Sequence, residues 1–208
     1  MYKRGIKIKG FTLVELMVSI AIFIVMTMLF LIKNGQYNDN VMLTNLSYDV
    51  ALAIREAQSD ALNVKFSTTT GSLADGYKYG YGVSFDLTTT ANQGKFTFFA
   101  DNPSAGNQFF YDNSDTIIKT YNIKNGNLIS GFCVTSSTSC VPAKPFSVSS
   151  INYNNVVISF LRPDAKSHIR VVAAGPDFNY AKIELKSPTG ATSSVVVRKT
   201  GQIIVGDE

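Results

Sequence analysis

The chain has 208 residues, with one histidine, two cysteines and no tryptophan, a length that suits one membrane helix plus one globular domain. Its formal net charge is +4, but four of the 19 Lys/Arg lie in residues 1–10 and leave 15 against 15 Asp/Glu beyond them. The bulk of the chain therefore carries no electrostatic footprint for nucleic acid, although a local patch stays open, and its sparse charge with abundant Asn, Ser, Thr and Gly suits an exported, β-rich domain.

Residues 1–10 form a short basic leader with Lys3, Arg4, Lys7 and Lys9, and no acid precedes Glu15. An apolar segment follows, Phe11 to Ile32, in which Glu15 is the one ionisable residue and Ser19 and Thr27 supply hydroxyls. As a helix it spans roughly 33 Å at ~1.5 Å per residue, against a hydrocarbon core of ~30 Å, so it can cross a bilayer. The basic leader stays on the cytoplasmic side and the rest of the chain is sent outward. A carboxylate in such a span costs roughly 2.5–3.5 kcal/mol on insertion scales, which marks Glu15 as a functional residue. A cleaved secretory signal is disfavoured, because the apolar run exceeds the ~7–15 residues of an h-region.

Lys33-Asn34-Gly35-Gln36 marks the exit from the apolar zone, where Gly35 can bend a helix. From Asp39, Leu43, Leu46, Val50, Ile54, Ala57, Ala61 and Val64 recur at spacings of three and four, one face of an amphipathic helix. The two stretches read as one helix over residues 12–64, its first half in the membrane and its second half packed on the globular domain. Residues 65–78 read as a loop. Alternation predicts strands at 81–87 and 95–100, joined as a hairpin, with short candidates at 109–111, 116–121 and 127–132 and a turn at Asn125-Gly126. Further strands are expected at 155–161, 169–173, 181–186, 194–198 and 202–205, the pair flanking Ser187-Pro188-Thr189-Gly190 forming a hairpin. The fold class is α+β: a long amino-terminal helix packed on an antiparallel β-sheet or sandwich domain. The divisions are leader 1–10, membrane helix 11–32, amphipathic continuation 33–64 and β-rich domain 65–208.

Basic leader, then Gly10-Phe11-Thr12-Leu13-Val14-Glu15 and an apolar helix, resembles the amino terminus of type IV pilins and pseudopilins. The resemblance implies cleavage by a prepilin peptidase between Gly10 and Phe11 and methylation of the new Phe11 amine. It implies that Glu15 pairs with the Phe11 amine of a neighbouring subunit during assembly, although a contact within one subunit is also within reach. The implied partners are the peptidase, other pilin or pseudopilin subunits, an inner-membrane assembly platform and the lipid bilayer. The implied place is the cytoplasmic (inner) membrane, single-pass, with the carboxyl-terminal domain outside. Ala53-Ile54-Arg55-Glu56-Ala57, the Ile158-Ser159-Phe160-x-x-Pro163 strand exit and the closing Ile183, Leu185, Val195-Val196-Val197 and Gly201-Gln202-Ile203 pattern are similar to H-type minor pseudopilins and related minor pilins. A major pilin shares the amino-terminal motif.

Cys133 and Cys140 lie seven apart, and an exported chain makes a local disulfide the favoured reading over a reduced pair. One histidine and two cysteines do not suffice for a four-ligand zinc site. Asp112, Asn113 and Asp115 offer oxygen ligands for calcium but lack EF-hand spacing, and a solvated turn is the other reading. Ser167 and His168 are adjacent with Asp164 nearby, but sequence adjacency does not make a triad, and His168 reads as a surface residue. No phosphate loop, dinucleotide fingerprint or metalloprotease motif appears. The reading is therefore a structural subunit of a pilus or secretion-type filament, not an enzyme, with no cofactor and no metal. The alternative is a minor pilin whose outer domain holds DNA or a surface. In DNA-uptake members a Gly-Arg-x-Arg motif near the carboxyl end does this, whereas here that place reads Gly201-Gln202-Ile203-Ile204, with only Arg198 and Lys199 nearby.

Overall fold

The computed structural model describes residues 10–63, 80–102, 108–136, 154–161, 164–171 and 175–206, the side chains of 32–36 apart. Helix α1 runs Leu13–Leu62. Nine strands follow: β1 Gly80–Asp86, β2 Lys95–Asp101, β3 Thr116–Asn122, β4 Leu128–Thr135, β5 Asn155–Phe160, β6 Ser167–Arg170, β7 Tyr180–Lys186, β8 Thr192–Arg198 and β9 Ile203–Val205. They form two antiparallel sheets, one ordered β3-β2-β1-β5-β6 and the other β4-β7-β8-β9. The chain divides into two compact units, 1–38 and 39–208.

Within the first unit every side chain from Gly10 to Leu31 is exposed. Leu13–Leu31 has a mean hydropathy of 2.5 and is long and apolar enough to cross a membrane. Its two hydroxyls are satisfied inside the helix: Ser19 donates to the Glu15 carbonyl at 2.7 Å and Thr27 to the Phe23 carbonyl at 2.8 Å.

In the second unit the helical stripe Leu43, Leu46, Val50, Ile54, Ala57 and Ala61 is buried, and both sheets supply the rest of the core. Period-2 alternation selects the contributors: Tyr81, Val83 and Phe85 from β1, Val156, Ile158 and Phe160 from β5, Ile183 and Leu185 from β7, Val195 and Val197 from β8. Cross-strand register lines them up, Val83 facing Ile158 and Ile183 facing Val195. Each such side chain contributes about 1.5–3 kcal/mol on full burial. Polar ties fix the helix on the sheets. Ser47 donates to Ser193 at 2.8 Å, and the Tyr121 hydroxyl donates to Glu56 at 3.0 Å.

The first sheet is also covered on its other face. Gly82 lacks the Cβ that would meet the Phe99 ring, and that ring packs there, 5.0 Å from Tyr111. The 109–111 stretch, expected as a strand, is not one: it lies in a turn, and Phe109 takes a φ of 72°, which no strand residue holds. The strand expected at 169–173 begins earlier, at Ser167, and 172–174 lie outside the described residues. So do residues 1–9, the 65–78 loop, Val64, Cys140 and the Arg162-Pro163 strand exit. The β2–β3 pair carries a register shift at Phe98/Phe99.

Candidate functional site

The start of α1 is built by Thr12. Its backbone carbonyl accepts from Leu16 at 3.2 Å and its Oγ1 accepts from the Glu15 backbone N–H at 3.3 Å. This is an N-cap with glutamate at the third helical position, a Thr-x-x-Glu pattern that is present in the sequence but that neither periodicity nor the cleavage motif singles out. Its geometry fixes Glu15 in the first turn of the helix, where the positive end of the helix dipole favours a carboxylate. Phe11 is exposed, immediately before the cap. Among the described residues the Glu15 carboxylate makes no hydrogen bond or ion pair. Gly10, Phe11 and Glu15 thus lie within six residues at the entry of an uncovered apolar helix.

The residues weighed for chemistry disperse. Ser167 donates through Oγ to the Arg198 carbonyl at 2.9 Å, not to His168. Alternation along β6 buries Ser167 and Ile169 and sets His168 and Arg170 on the opposite face. His168 is half-buried rather than a free surface residue: its Nδ1 lies 2.8 Å from Asp177 Oδ2 and its ring stacks on Phe109 at 3.8 Å. Arg170 Nε donates to the other Asp177 oxygen at 2.8 Å, and its Nη1 to the Gln108 carbonyl at 2.9 Å. Burial acts to raise the Asp177 pKa, but the hydrogen bonds from Arg170 and His168 outweigh it and hold it below the ordinary value. Asp164 pairs with Lys166 at 2.9 Å, on the surface. The Ser167, His168 and Asp164 side chains therefore do not form a relay.

The Asp112–Asp115 loop uses its carboxylates internally. Asp115 accepts from the backbone N–H of Asn102 and of Asp112, each at 2.8 Å, and Asp112 accepts from the N–H and hydroxyl of Ser114. Among the described residues no group of three or more His, Cys, Asp or Glu is placed to hold a metal ion. Cys133 lies half-buried on β4, and no described cysteine is a free thiol.

No curated protein and no solved structure matches the chain. Residues 6–31 match the family model described as the prokaryotic N-terminal methylation motif. The match takes in Gly10, Phe11, Thr12 and Glu15 and most of the apolar helix, and it supports the general resemblance to type IV pilins and pseudopilins.

Proposed function

We propose that the chain is a structural subunit, a minor pilin or pseudopilin of the H-type kind, of a type IV pilus or type II secretion-like filament. One observation carries the reading: the methylation motif over residues 6–31 coincides with a capped, exposed apolar helix that opens directly after Gly10-Phe11. A prepilin peptidase cuts between Gly10 and Phe11 and methylates the Phe11 amine. The helix holds the chain in the cytoplasmic membrane in a single pass, with Lys3, Arg4, Lys7 and Lys9 inside and the carboxyl-terminal domain outside. On assembly, with other subunits and an inner-membrane platform, the apolar helices bundle. A carboxylate in that bundle needs a cation, and the Phe11 amine of a neighbouring copy supplies one. Cys133 and Cys140 form a disulfide that closes the Ser/Thr loop between them.

The test is co-expression with a prepilin peptidase and intact-mass measurement of the membrane-extracted product. Loss of residues 1–10 with one added methyl is the expected result. An uncleaved chain beside a competent peptidase would leave an ordinary signal anchor.

The second reading, an outer domain that holds DNA, is favoured by one feature: Arg198 and Lys199 line a common cavity with Lys166. Salt-sensitive DNA binding by the detergent-extracted chain, lost on changing Arg198 and Lys199, is its signature.

A further inference from the structure

The turn between β3 and β4 and one face of α1 line a common cavity of about 420 Å³. The helix contributes Met42, Asn45, Leu46 and Asp49, which recur at spacings of three and four and so share a face. The turn contributes Asn122, Ile123, Lys124, Asn125 and Asn127. Among the described residues, the side chains of its four asparagines, Asp49 and Lys124 make no hydrogen bond and no ion pair. Asn127 is the sharpest case: it is 6% exposed, yet its amide has no partner among the described residues. Buried amides in folded proteins are otherwise almost always hydrogen-bonded, because burial has cost them their water.

Other contacts set the walls. The Asn127 backbone N–H donates to the Lys124 carbonyl at 3.3 Å and closes the turn, with Asn125 and Gly126 both left-handed at φ 62° and 71°. Gly126 is seated against Pro188, whose Cγ would lie 2.9 Å from a Cβ at that position. The Ile123 N–H donates to the Gly94 carbonyl at 2.7 Å. Just ahead of the turn, Tyr121 stacks on Phe96 at 4.7 Å and donates to Glu56 of α1 at 3.0 Å, which ties strand to helix. None of these ties uses the six polar side chains of the lining. A site held open in this way loses little entropy on binding.

The chemistry of the lining selects the ligand. Each carboxamide both donates and accepts, Asp49 only accepts and Lys124 only donates. A hydroxyl also does both, so a ligand rich in hydroxyls matches all three kinds of group. One acid and one base line the cavity without pairing, and their opposite charges favour neither an anion nor a cation as a whole. Among the described residues no aromatic ring lines it on which a planar base could stack. Met42, Leu46 and Ile123 instead supply aliphatic surface, which suits the C–H face of a sugar ring. The volume falls within the ~300–1,000 Å³ of small-molecule sites. We propose that this cavity binds a small neutral saccharide, its hydroxyls held by Asn127 and Asp49 and by the amides of Asn45, Asn122 and Asn125. The site does not depend on the assembly reading.

The experiment is saturation-transfer NMR on the full chain in a polyoxyethylene detergent, which carries no sugar headgroup. The probes are glucose, N-acetylglucosamine and lactose, with glycerol as the comparison ligand. Saturable transfer to at least one sugar is expected, with a Kd of about 1 mM or tighter. Asn127→Leu should weaken binding at least about tenfold while the urea midpoint holds or rises, because the amide it removes has no partner in the free chain. Asn45→Ala, at an exposed position of the helix wall, should weaken binding several-fold with the circular dichroism spectrum unchanged. Absence of transfer to all three sugars overturns the proposal and leaves the cavity to water. So does an equal affinity for glycerol, which leaves the ring without a role. Binding undiminished in both variants places the sugar elsewhere and also overturns it. Loss of binding in Asn127→Leu alone, with a lowered urea midpoint and full binding by Asn45→Ala, assigns Asn127 to folding and overturns it too.

Discussion

The backbone N–H of Phe109 donates to Asp101 Oδ2 at 2.6 Å, and Phe109 adopts a left-handed backbone to do so, with a φ of 72°. The other carboxylate oxygen of Asp101 is buried without a hydrogen-bond partner among the described residues. The turn it holds is fastened again by Arg170, whose guanidinium lies 5.0 Å from the Phe109 ring and donates to the Gln108 carbonyl. A single buried acid therefore anchors the cover on the outer face of the first sheet.

That acid makes stability depend on pH. Burial pushes the Asp101 pKa from 3.8 up to about 6, against the lowering effect of the Phe109 bond, with Asp115 and Asp112 adding upward and Arg170 downward. A carboxyl whose folded pKa is raised contributes most below its unfolded value, and the contribution is lost as pH rises through about 6. A rise of this size corresponds to roughly 2–3 kcal/mol. Asp115 is raised too, chiefly by burial, and acts in the same direction. Asp177 is lowered, so its contribution is present above the ordinary carboxylate range and fades as the medium turns more acid than that. The urea midpoint of the extracted chain should fall between pH 5 and pH 7, and Asp101→Asn should flatten that slope. Equal slopes in the two proteins would assign the titration to another group.

Glu15→Gln keeps the helix entry and removes the charge. The subunit should remain folded and membrane-bound, while filament incorporation, read by shear fractions or by crosslinking to neighbours, should be impaired. Thr12→Ala does the reverse: it removes the cap at a cost of about 1 kcal/mol and leaves the carboxylate. Faster amide exchange at Glu15 with incorporation retained is its expected outcome. Normal incorporation of Glu15→Gln would remove the charge from the assembly account.

Gly201→Ala tests the bridge by which the Gln58 amide ties the carbonyls of Ala165 and Gly201, at 3.0 and 3.2 Å. Gly201 holds a φ of 87°, and a Cβ there would meet the Ala165 carbonyl oxygen and the Gln58 amide. The backbone conformation alone costs about 1–2 kcal/mol for a non-glycine residue, and the displaced carbonyl adds to it. A urea midpoint shift smaller than that of Gln58→Ala would mean that the turn relaxes freely.

The proposed disulfide predicts that intact mass rises on reduction and alkylation by the mass of two labels, with no labelling beforehand. A loop this short is worth about 2–3 kcal/mol in the chain-entropy account, so reduction should lower the urea midpoint visibly. Labelling of two thiols in the unreduced exported protein would remove the bridge.

Much of the fold was legible because the patterns are local. The stripe from Leu43 to Ala61 repeats at helical spacing, and β1–β2 and β7–β8 alternate on either side of turn residues. The β1–β5 pairing was not legible, since Tyr81 finds Phe160 across a long stretch of chain and nothing near either residue announces the other. Phe109 to Tyr111 reads as a strand by composition, but the bond to Asp101 turns it. Asp177 as the partner of His168 depends on how β6 meets the residues before β7, which no spacing rule supplies. At the amino end the leader-and-glutamate motif is plain, whereas the capping role of Thr12 rests on the shorter Thr-x-x-Glu pattern and emerges only with the helix start in hand. Lys166 is brought near Lys199 through the contacts of Ser167 and Gln58 with the turn after β8, a relation that no run of sequence displays.

The terminal place of β3 in its sheet has one more implication. Among the described residues no strand pairs with the outer side of β3, where Ile117 and Ile118 are exposed, so a subunit proposed to polymerise through a helix owns a second route to polymerisation there, strand upon strand. Such borders seed amyloid-like stacking unless they are blunted. Here the register shift at Phe98/Phe99 disturbs the flatness of the pair, and Lys119 places a charge over the Tyr121 ring 4.0 Å away, in the middle of the strand. Growth sideways from β3 is thereby discouraged.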